Sequence, residues 1–199
     1  MNSLQLVLAS ASPRRHEILG RLAPNFAVKP AHIDETPRQD EDPVTYVERL
    51  AIEKATAIAT PGSVVIGADT SVVLDGEILG KPRDREHGGE MLRDLADRHH
   101  DVVTGVAVVV TSLSGKQSTA VGHERSDVIV GPISEDRITW YLNTGEGNDK
   151  AGGYGLQGAG GLFADVVAGS VSNVIGLPMG RLDQLCREVG VDIVADFVT

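Results

Sequence analysis

The sequence predicts an α/β fold in which a mixed β-sheet is flanked by helices. Short apolar runs of strand length alternate along the chain with segments that repeat apolar residues at helical spacing. Helices between strands are typical of crossover connections, which join parallel strands. The pair Asp75-Gly76 stands between two apolar runs and is a hairpin signal, which predicts antiparallel neighbours. Because both kinds of connection occur, the sheet should contain both strand directions.

The first third of the chain has clear helix boundaries. Ser12 followed by Pro13 is an N-cap with proline at the first helical position. Asp42-Pro43 repeats this pattern, and Pro61-Gly62 ends the second helix. The predicted elements are a strand over 4–9, a helix over 13–21, a strand over 26–28 and a helix from Pro43 to Pro61-Gly62.

The rest of the chain is richer in strands and ends with a helix. Ser134 is a further N-cap, with two acidic residues in the following turn where the helix dipole favours them. Residues 143–161 contain eight glycines in nineteen positions and are predicted to form a loop. The predicted strands are 63–74, 77–79, 101–112, 117–130 and a segment near 162–168, and the predicted helices are 84–97, one after Ser134, and 178–189.

The composition indicates one globular domain over residues 1–199. The formal net charge of −10 argues against a nucleic-acid polymer or an anionic membrane as partner, because both require basic surfaces. The single cysteine, Cys186, excludes an internal disulfide and any multi-cysteine metal site. No apolar run reaches the roughly 18 residues of a membrane span. The apolar N-terminal stretch lacks the basic residues and the length of a signal peptide, so we expect a cytoplasmic protein.

The segment Ser10–Arg15 is a candidate anion site. A strand runs into a helix N-terminus that carries two hydroxyl groups and the guanidinium groups of Arg14 and Arg15. Backbone N–H groups and the helix dipole attract anions at such a turn, and arginine adds bidentate contacts to phosphate. Residues 1–33 hold four basic residues and one acidic residue in this otherwise acidic chain. The alternative is a capped amphipathic helix with a solvated basic face.

Asp69 and Lys54 are charged residues in apolar surroundings. Asp69 interrupts a strongly apolar strand, where a carboxylate is costly unless it is paired, bound to metal or used as a base. The alternative is a bulge or strand end at Gly67, with Asp69 in a local turn. Lys54 lies on the apolar stripe of its helix. From the spacing alone we favour a lysine that extends along the surface over one that binds an anion.

The glycine-rich segment contains a motif that we reject and an amide that we retain. Gly153-x-Gly155-x-x-Gly158 formally matches a dinucleotide fingerprint, but it follows a helix and a loop instead of a strand. Glycines allow the backbone to approach a ligand, and Gln157 could bond to the edge of a base. The alternative is a floppy surface loop. Lys81 follows the short hairpin and is a weaker candidate for the same pocket as Asp69.

Other polar residues give weaker signals. The histidines show no metal-binding spacing, and His99 and His100 are expected to be exposed. Glu35 is, from its context alone, an ordinary loop acid. Three features indicate that the ligand is a phosphate ester and resembles a nucleotide. They are a local group of cationic residues, a carboxylate in an apolar strand, and a polar side chain that could contact a base.

Eight short blocks in order carry a family resemblance that covers almost the whole chain. They are Leu8–Arg15, Ile33–Glu35, Glu53–Ala55, Gly67–Thr70, Gly80–Pro82, Tyr141-x-x-x-Gly145-Glu146, Asp149–Gly158 and Asn173–Pro178. Each block is weak alone. Together they resemble the Maf family of nucleoside triphosphate pyrophosphatases, the septum-formation-inhibitor-like proteins.

The resemblance implies an elongated α/β fold shared with the inosine-triphosphate pyrophosphatases, with two lobes around a substrate cleft. It implies hydrolysis of a nucleoside triphosphate to the monophosphate and pyrophosphate, assisted by Mg²⁺ or Mn²⁺. Asp69 matches the general base and a metal ligand, and Glu35 matches a metal or water partner. The residues that match the triphosphate cradle are Ser10, Arg15, Lys54 and Lys81.

The resemblance also implies a substrate class. Arg14, Thr70 and Gln157 match the three residues that mark the subgroup preferring dTTP and UTP. Such an enzyme could also clear non-standard pyrimidine nucleotides. Two other hypotheses stay open. One is a nucleotide-binding regulator of cell division with incidental hydrolysis, and the other is a pyrophosphatase that acts on purine or modified nucleotides. Family members often form dimers, and the oligomeric state is left open.

The chain departs from the family pattern at a few positions. Gly147 replaces a usual proline and Gly153 a usual alanine, which predicts a looser substrate loop. Val130-Gly131 stands where the family commonly has Phe-Arg, which we interpret as altered surface packing. This chain therefore lacks the side chain for any contact that the family makes through that arginine.

Overall fold

The computed structural model describes residues 4–197, which alternate between strands and helices. The strands are β1 (Gln5–Leu8), β2 (Ala27–Val28), β3 (Ser63–Leu74), β4 (Glu77–Leu79), β5 (His99–Thr111), β6 (Gln117–Val130) and β7 (Ala164–Ala168). The helices are α1 (Pro13–Leu22), α2 (Pro43–Ile58), α3 (Arg85–Leu95), α4 (Glu135–Thr144), α5 (Val171–Ile175) and α6 (Met179–Glu188). Short 3₁₀ turns occur at Glu146–Asp149, Ala151–Gly153 and Ala159–Leu162.

Within residues 4–197 the seven strands form one mixed sheet, in the order β2-β1-β3-β5-β6-β7 with β4 paired to β3. Strand β1 is parallel to β2 and β3, whereas β4 is antiparallel to β3 and β7 is antiparallel to β6. The hairpin between β3 and β4 has the predicted bounds. Asp75 and Gly76 at its turn have φ of 52° and 86°, as a type I′ turn requires. The predicted α/β class with a mixed sheet is confirmed.

The predicted N-caps form where the sequence places them. The Ser12 hydroxyl accepts a hydrogen bond from the Arg15 amide at 3.4 Å. The Asp42 carboxylate accepts from the amides of Val44 and Thr45 at 3.0 and 3.1 Å. Each cap satisfies backbone N–H groups that have no partner inside the helix. These caps fix where α1 and α2 begin, and both helices carry predicted site residues.

The first of two compact units contains residues up to Asp69, Thr104–Glu124 and the residues from Gly176 onward. Helix α2 packs on β1, β3 and β5 here. A Cβ on Gly67 would lie 2.8 Å from the Ala55 amide nitrogen, so only glycine allows the strand to come this close to the helix backbone. One buried cluster of this unit is built from small residues, which are Val7, Ala9, Ala51, Ala55, Val65, Ala107 and Val109.

The second unit contains Thr70–Val103 and Arg125–Ile175. Tyr141, Tyr154 and Phe163 pack into its core beside valines and leucines of the strands and of α3. Tyr154 belongs to the glycine-rich segment, and its hydroxyl lies 2.8 Å from Nε2 of buried His100. The segment is therefore anchored in the core, and the floppy-loop alternative does not describe it.

Several sequence-based expectations are wrong in this second unit. His100 is buried, although His99 is exposed, because neighbouring residues of a strand face opposite sides. Val130 and Gly131 are buried, so this departure from the family pattern does not alter surface packing. Helix α5 was not predicted, since five residues are too few to show a helical period.

Within residues 4–197, no helix is long and apolar enough to cross a membrane.

Candidate functional site

Lys54 joins two of the predicted site carboxylates in the first unit. Its Nζ lies 2.7 Å from Asp69 Oδ1 and 2.8 Å from Glu35 Oε1. The Lys54 side chain is 8% exposed and the Asp69 side chain 13%, whereas Glu35 is half exposed. The lysine therefore points inward to carboxylates, and the expectation that it extends along the surface is wrong. A buried ammonium requires such partners, because desolvation without them is costly.

The approach of β3 to α2 explains this pairing. Gly67 and Asp69 are two residues apart on β3 and so face the same side of the sheet. Gly67 lies against the α2 backbone at Ala51 and Ala55, and Lys54 belongs to this same stretch of the helix, so its side chain reaches Asp69. The strand continues without a break to Leu74. The alternative of a strand end at Gly67, with a local turn at Asp69, is therefore wrong.

Arg15 is held in place by neutral groups of the first unit. Its Nε donates to the Gly176 carbonyl at 2.8 Å, and its Nη1 donates to the Ser10 hydroxyl at 3.2 Å. The Ser10 hydroxyl also accepts from the Ser12 amide at 3.2 Å. Gly176 has φ of 122°, which glycine adopts readily. The Gly176 carbonyl and the Ser10 hydroxyl thus help to orient the guanidinium.

Electrostatics links Arg15 to the two carboxylates. Burial lowers the pKa of Arg15 below its ordinary value, while the charges of Asp69 and Glu35 act in the opposite direction. Ser10, Arg15, Glu35, Lys54 and Asp69 together are called the charged cluster below. Arg14 precedes Arg15 on α1, is partly buried, and adds a second positive charge at this helix N-terminus.

The loop that carries Glu35 is held by residues that the sequence analysis missed. The Tyr46 hydroxyl donates to the Glu35 carbonyl at 2.9 Å. Arg49 donates to the Glu41 carboxylate at 2.6 and 2.7 Å and to the Thr36 carbonyl at 3.2 Å. The hydrogen bonding from Arg49 is the main cause that lowers the pKa of Glu41 to about 2. A helical spacing of three between Tyr46 and Arg49 was the one signal available in the sequence.

The second unit holds the remaining predicted residues. Thr70 follows Asp69 on β3 and is partly buried. Lys81 is exposed just after β4. The Gly152 amide donates to the Gly80 carbonyl at 3.1 Å, so the turn with Lys81 adjoins the glycine-rich segment. Gln157 is exposed within that segment, which we call the glycine-rich loop (residues 145–161).

Two departures from the family pattern meet in one contact of this loop. A Cβ on Gly147 would overlap the Gly153 carbonyl, and Gly153 has φ of 73°. Both residues are buried. The prediction of a looser loop is wrong at this contact. The backbones at Gly147 and Gly153 are packed more closely than a residue with a side chain at position 147 would allow.

Comparisons with known proteins identify the family of this chain. The model of the Maf-like protein family matches residues 5–189. The chain belongs to the Maf-like family. A relative from Anaeromyxobacter dehalogenans (strain 2CP-C), named a dTTP/UTP pyrophosphatase, is 48% identical over 94% of both chains. One from Myxococcus xanthus (strain DK1622), with the same name, is 47% identical over 94% of both chains.

More distant similarity is partial. The structure of the Staphylococcus aureus Ham1 protein matches with a TM-score of 0.41 and 18% identity, over 62% of this chain and 71% of that chain. A likeness this distant adds nothing to the family assignment. The family assignment therefore depends on the family model and on the relatives with the dTTP/UTP pyrophosphatase name.

The cluster supplies few ligands for a metal. Within residues 4–197, no group of three or more histidine, cysteine, aspartate or glutamate side chains is placed to hold an ion. Glu35 and Asp69 nevertheless both reach one ammonium group, so their oxygens lie near each other. Mg²⁺ is commonly bound by one or two carboxylates plus the phosphates of a substrate. The residues therefore fit a divalent cation that binds together with a polyphosphate.

Proposed function

We propose that this protein is a nucleoside triphosphate pyrophosphatase that converts dTTP and UTP to the monophosphate and pyrophosphate. The observation that carries the proposal is the charged cluster, in which a buried lysine joins two carboxylates in the unit that also fixes Arg15. The relatives named dTTP/UTP pyrophosphatase, up to 48% identical over nearly the whole chain, support the substrate class.

The cationic side chains bind the phosphates in this proposal. Ser10 and Gly176 help to orient Arg15, and a planar guanidinium suits bidentate contact with phosphate oxygens. Lys54 and Lys81 add point charges, and the Ser10 hydroxyl adds a polar contact. Such fixed positive groups stabilise the charge that develops on the phosphates during the reaction.

Asp69 acts as the general base. It takes a proton from a water molecule whose oxygen attacks the α-phosphorus, and the bond from that phosphorus to the oxygen bridging the α- and β-phosphates breaks. The bridging oxygen leaves with pyrophosphate, and the attacking oxygen stays on the monophosphate. Lys54 holds Asp69 Oδ1 at 2.7 Å and so fixes the carboxylate for this proton transfer.

Glu35 and Asp69 are the residues that would hold Mg²⁺ or Mn²⁺. When bound, the cation neutralises negative charge on the phosphates. Glu35 is suited to this role because it is half exposed and its loop is held by Tyr46 and Arg49.

The base of the nucleotide would contact Arg14, Thr70 and Gln157, whose donors and acceptors suit the carbonyl and imide edge of a pyrimidine. The two lobes around a substrate cleft that the family resemblance implies stay a prediction. A cytoplasmic location agrees with a nucleotide substrate. A homodimer stays a prediction from the family resemblance.

The test is pyrophosphate release across a panel of nucleotides with Mg²⁺ or Mn²⁺. We expect dTTP and UTP to be hydrolysed faster than purine nucleotides, and no hydrolysis after removal of divalent cations with a chelator. Asp69→Asn should lower kcat by about 10³-fold while dTTP still binds. The matched control is Asp183→Asn, which removes an aspartate paired with Arg187 on α6. Equal activity of Asp69→Asn and wild type would overturn the proposed mechanism, and a preference for purines would overturn the substrate class.

A further inference from the structure

The carboxylate of Glu146 lies beneath the part of the glycine-rich loop that carries Gln157. It accepts hydrogen bonds from the Ala159 amide at 2.7 Å and the Gly160 amide at 3.1 Å. It also accepts from the Tyr141 hydroxyl at 3.0 Å. Burial opposes the ionisation of Glu146, but these donors together with Lys150 hold its pKa below the ordinary value. The side chain is therefore an ionised acceptor for two backbone groups of the loop.

The backbone comes this close to the carboxylate only because the loop is made of glycine. A Cβ on Gly158 would overlap the Glu146 carboxylate. A Cβ on Gly160 would lie 2.9 Å from the Tyr141 hydroxyl oxygen. We expected these glycines to let the loop backbone approach a ligand. They also let the loop backbone approach the Glu146 carboxylate.

A six-residue turn, 155–160, lies against this pair of side chains at both ends. The Gly155 backbone lies close to the Tyr141 hydroxyl at one end. The amides of Ala159 and Gly160 donate to Glu146 at the other. Gln157 lies in the middle and is exposed. The position of the Gln157 backbone is therefore set by Tyr141 and Glu146.

We infer that Glu146 is a positioning residue for Gln157 and, through it, determines which base the enzyme selects. This inference rests on the proposed function, in which Gln157 contacts the base. Glu146 itself does not touch the substrate. Its loss should change the preference for dTTP and UTP over other nucleotides more than it changes the chemical step at the α-phosphorus.

The test compares Glu146→Gln with wild type. Glutamine has one acceptor oxygen and one NH₂ group, so in either orientation one backbone N–H of the turn faces another donor. We expect KM for dTTP to rise about tenfold, and the ratio of kcat/KM for dTTP to that for dATP to fall by about the same factor. kcat at saturating dTTP should change less than threefold, on the order expected for an effect on binding alone.

Tyr141→Phe is the second variant, because it keeps the ring in the core and removes only the hydroxyl. It should move the selectivity ratio in the same direction by a smaller factor, and it carries the test if Glu146→Gln does not fold. Glu135→Gln is the matched control, since this exposed glutamate pairs with Arg93 at 2.7 Å on the surface. It should leave the ratio unchanged.

Each result has a distinct meaning. Folded Glu146→Gln or, in its absence, folded Tyr141→Phe with the wild-type selectivity ratio overturns this inference alone. An equal fall in kcat for every nucleotide also overturns it, because that pattern indicates a general structural defect. A wild-type protein that releases no pyrophosphate from dTTP or UTP overturns the proposed function and this inference with it.

Discussion

The charged cluster and the glycine-rich loop use carboxylates in different ways. In the cluster, Asp69 and Glu35 are bound to the side-chain ammonium of Lys54. In the loop, Glu146 is bound to backbone amides and a tyrosine hydroxyl. The cluster is assembled from distant chain segments, whereas the loop is one continuous segment that folds around its own glutamate.

The cluster therefore depends mainly on the charges of its side chains, and the loop depends mainly on the path of its backbone. A substitution in the cluster changes the charge or the geometry of the groups that bind and act on phosphate, so its main effect should be on kcat/KM for dTTP. A substitution in the loop changes where the backbone lies, so its main effect should be on stability and on the choice of base. The predictions below test that division, and a loop variant that abolished catalysis outright would contradict it.

The largest effect is expected for Lys54→Met. Methionine matches the length of the buried lysine but leaves Asp69 and Glu35 without their shared cation. We expect kcat/KM for dTTP to fall by about 10²- to 10³-fold, since one preorganised electrostatic contact is worth that much in other active sites. Steady-state pyrophosphate release measures this, with Lys116→Met, an exposed lysine, as control. Wild-type kinetics for Lys54→Met would remove the cluster from the mechanism.

Arg15→Lys keeps the charge and loses the geometry. A lysine has no planar fork, so it cannot bond to Ser10 and Gly176 and also present two donors to a phosphate. We expect KM for dTTP to rise about thirtyfold, the scale of a hydrogen bond to a charged group. Arg21→Lys, on the exposed face of the same helix and paired with Glu17, should have no effect. If lysine fully replaces Arg15, charge alone is what matters there.

The sequence predicted the fold better than it predicted these pairings. Caps such as Ser12 and Asp42, and the turn at Asp75-Gly76, are local signals, and each formed where it was expected. The partners of Lys54 come from outside its own helix, and spacing along one helix cannot show them. The lysine was therefore misinterpreted from its own context, and only the family resemblance assigned it to the phosphates.

Other errors have a similar cause. His100 was expected to be exposed like its neighbour, but the segment is a strand, and alternation buries one histidine and exposes the other. Glu146 was noted as part of a family block, yet its role depends on amides 13 and 14 residues later. Contacts of a carboxylate with backbone leave no pattern of residue types, so the sequence did not reveal them.

The buried histidine should make the stability of the loop anchor depend on pH. Burial lowers the pKa of His100 to about 4 from an ordinary value of 6.5. The unfolded chain then binds more protons between these values, so this contribution to stability is present above pH 6.5 and is lost as the pH falls toward 4. The expected loss between pH 7 and pH 5 is about 2 kcal/mol.

Urea unfolding at pH 7 and pH 5 measures this loss. His100→Gln should remove the histidine contribution to the pH dependence, whatever its absolute stability. His99→Gln changes the exposed neighbour and should keep the wild-type dependence. The same dependence in both variants would show that His100 is not the titrating group.

The smallest effect concerns the contact between Gly147 and Gly153. Gly147→Ala places a methyl group against the Gly153 carbonyl in a buried segment, so the free energy of unfolding should fall by about 1 kcal/mol as the backbone shifts. Gly180→Ala is the matched control, because a Cβ there meets no atom within 4 Å and the residue lies in α6. Alanine at that position should stabilise the protein by about 0.5–1 kcal/mol through helix propensity. If both substitutions stabilise the protein, the loop backbone yields without cost, and the shape of the loop is not fixed by the close approach of these two glycines.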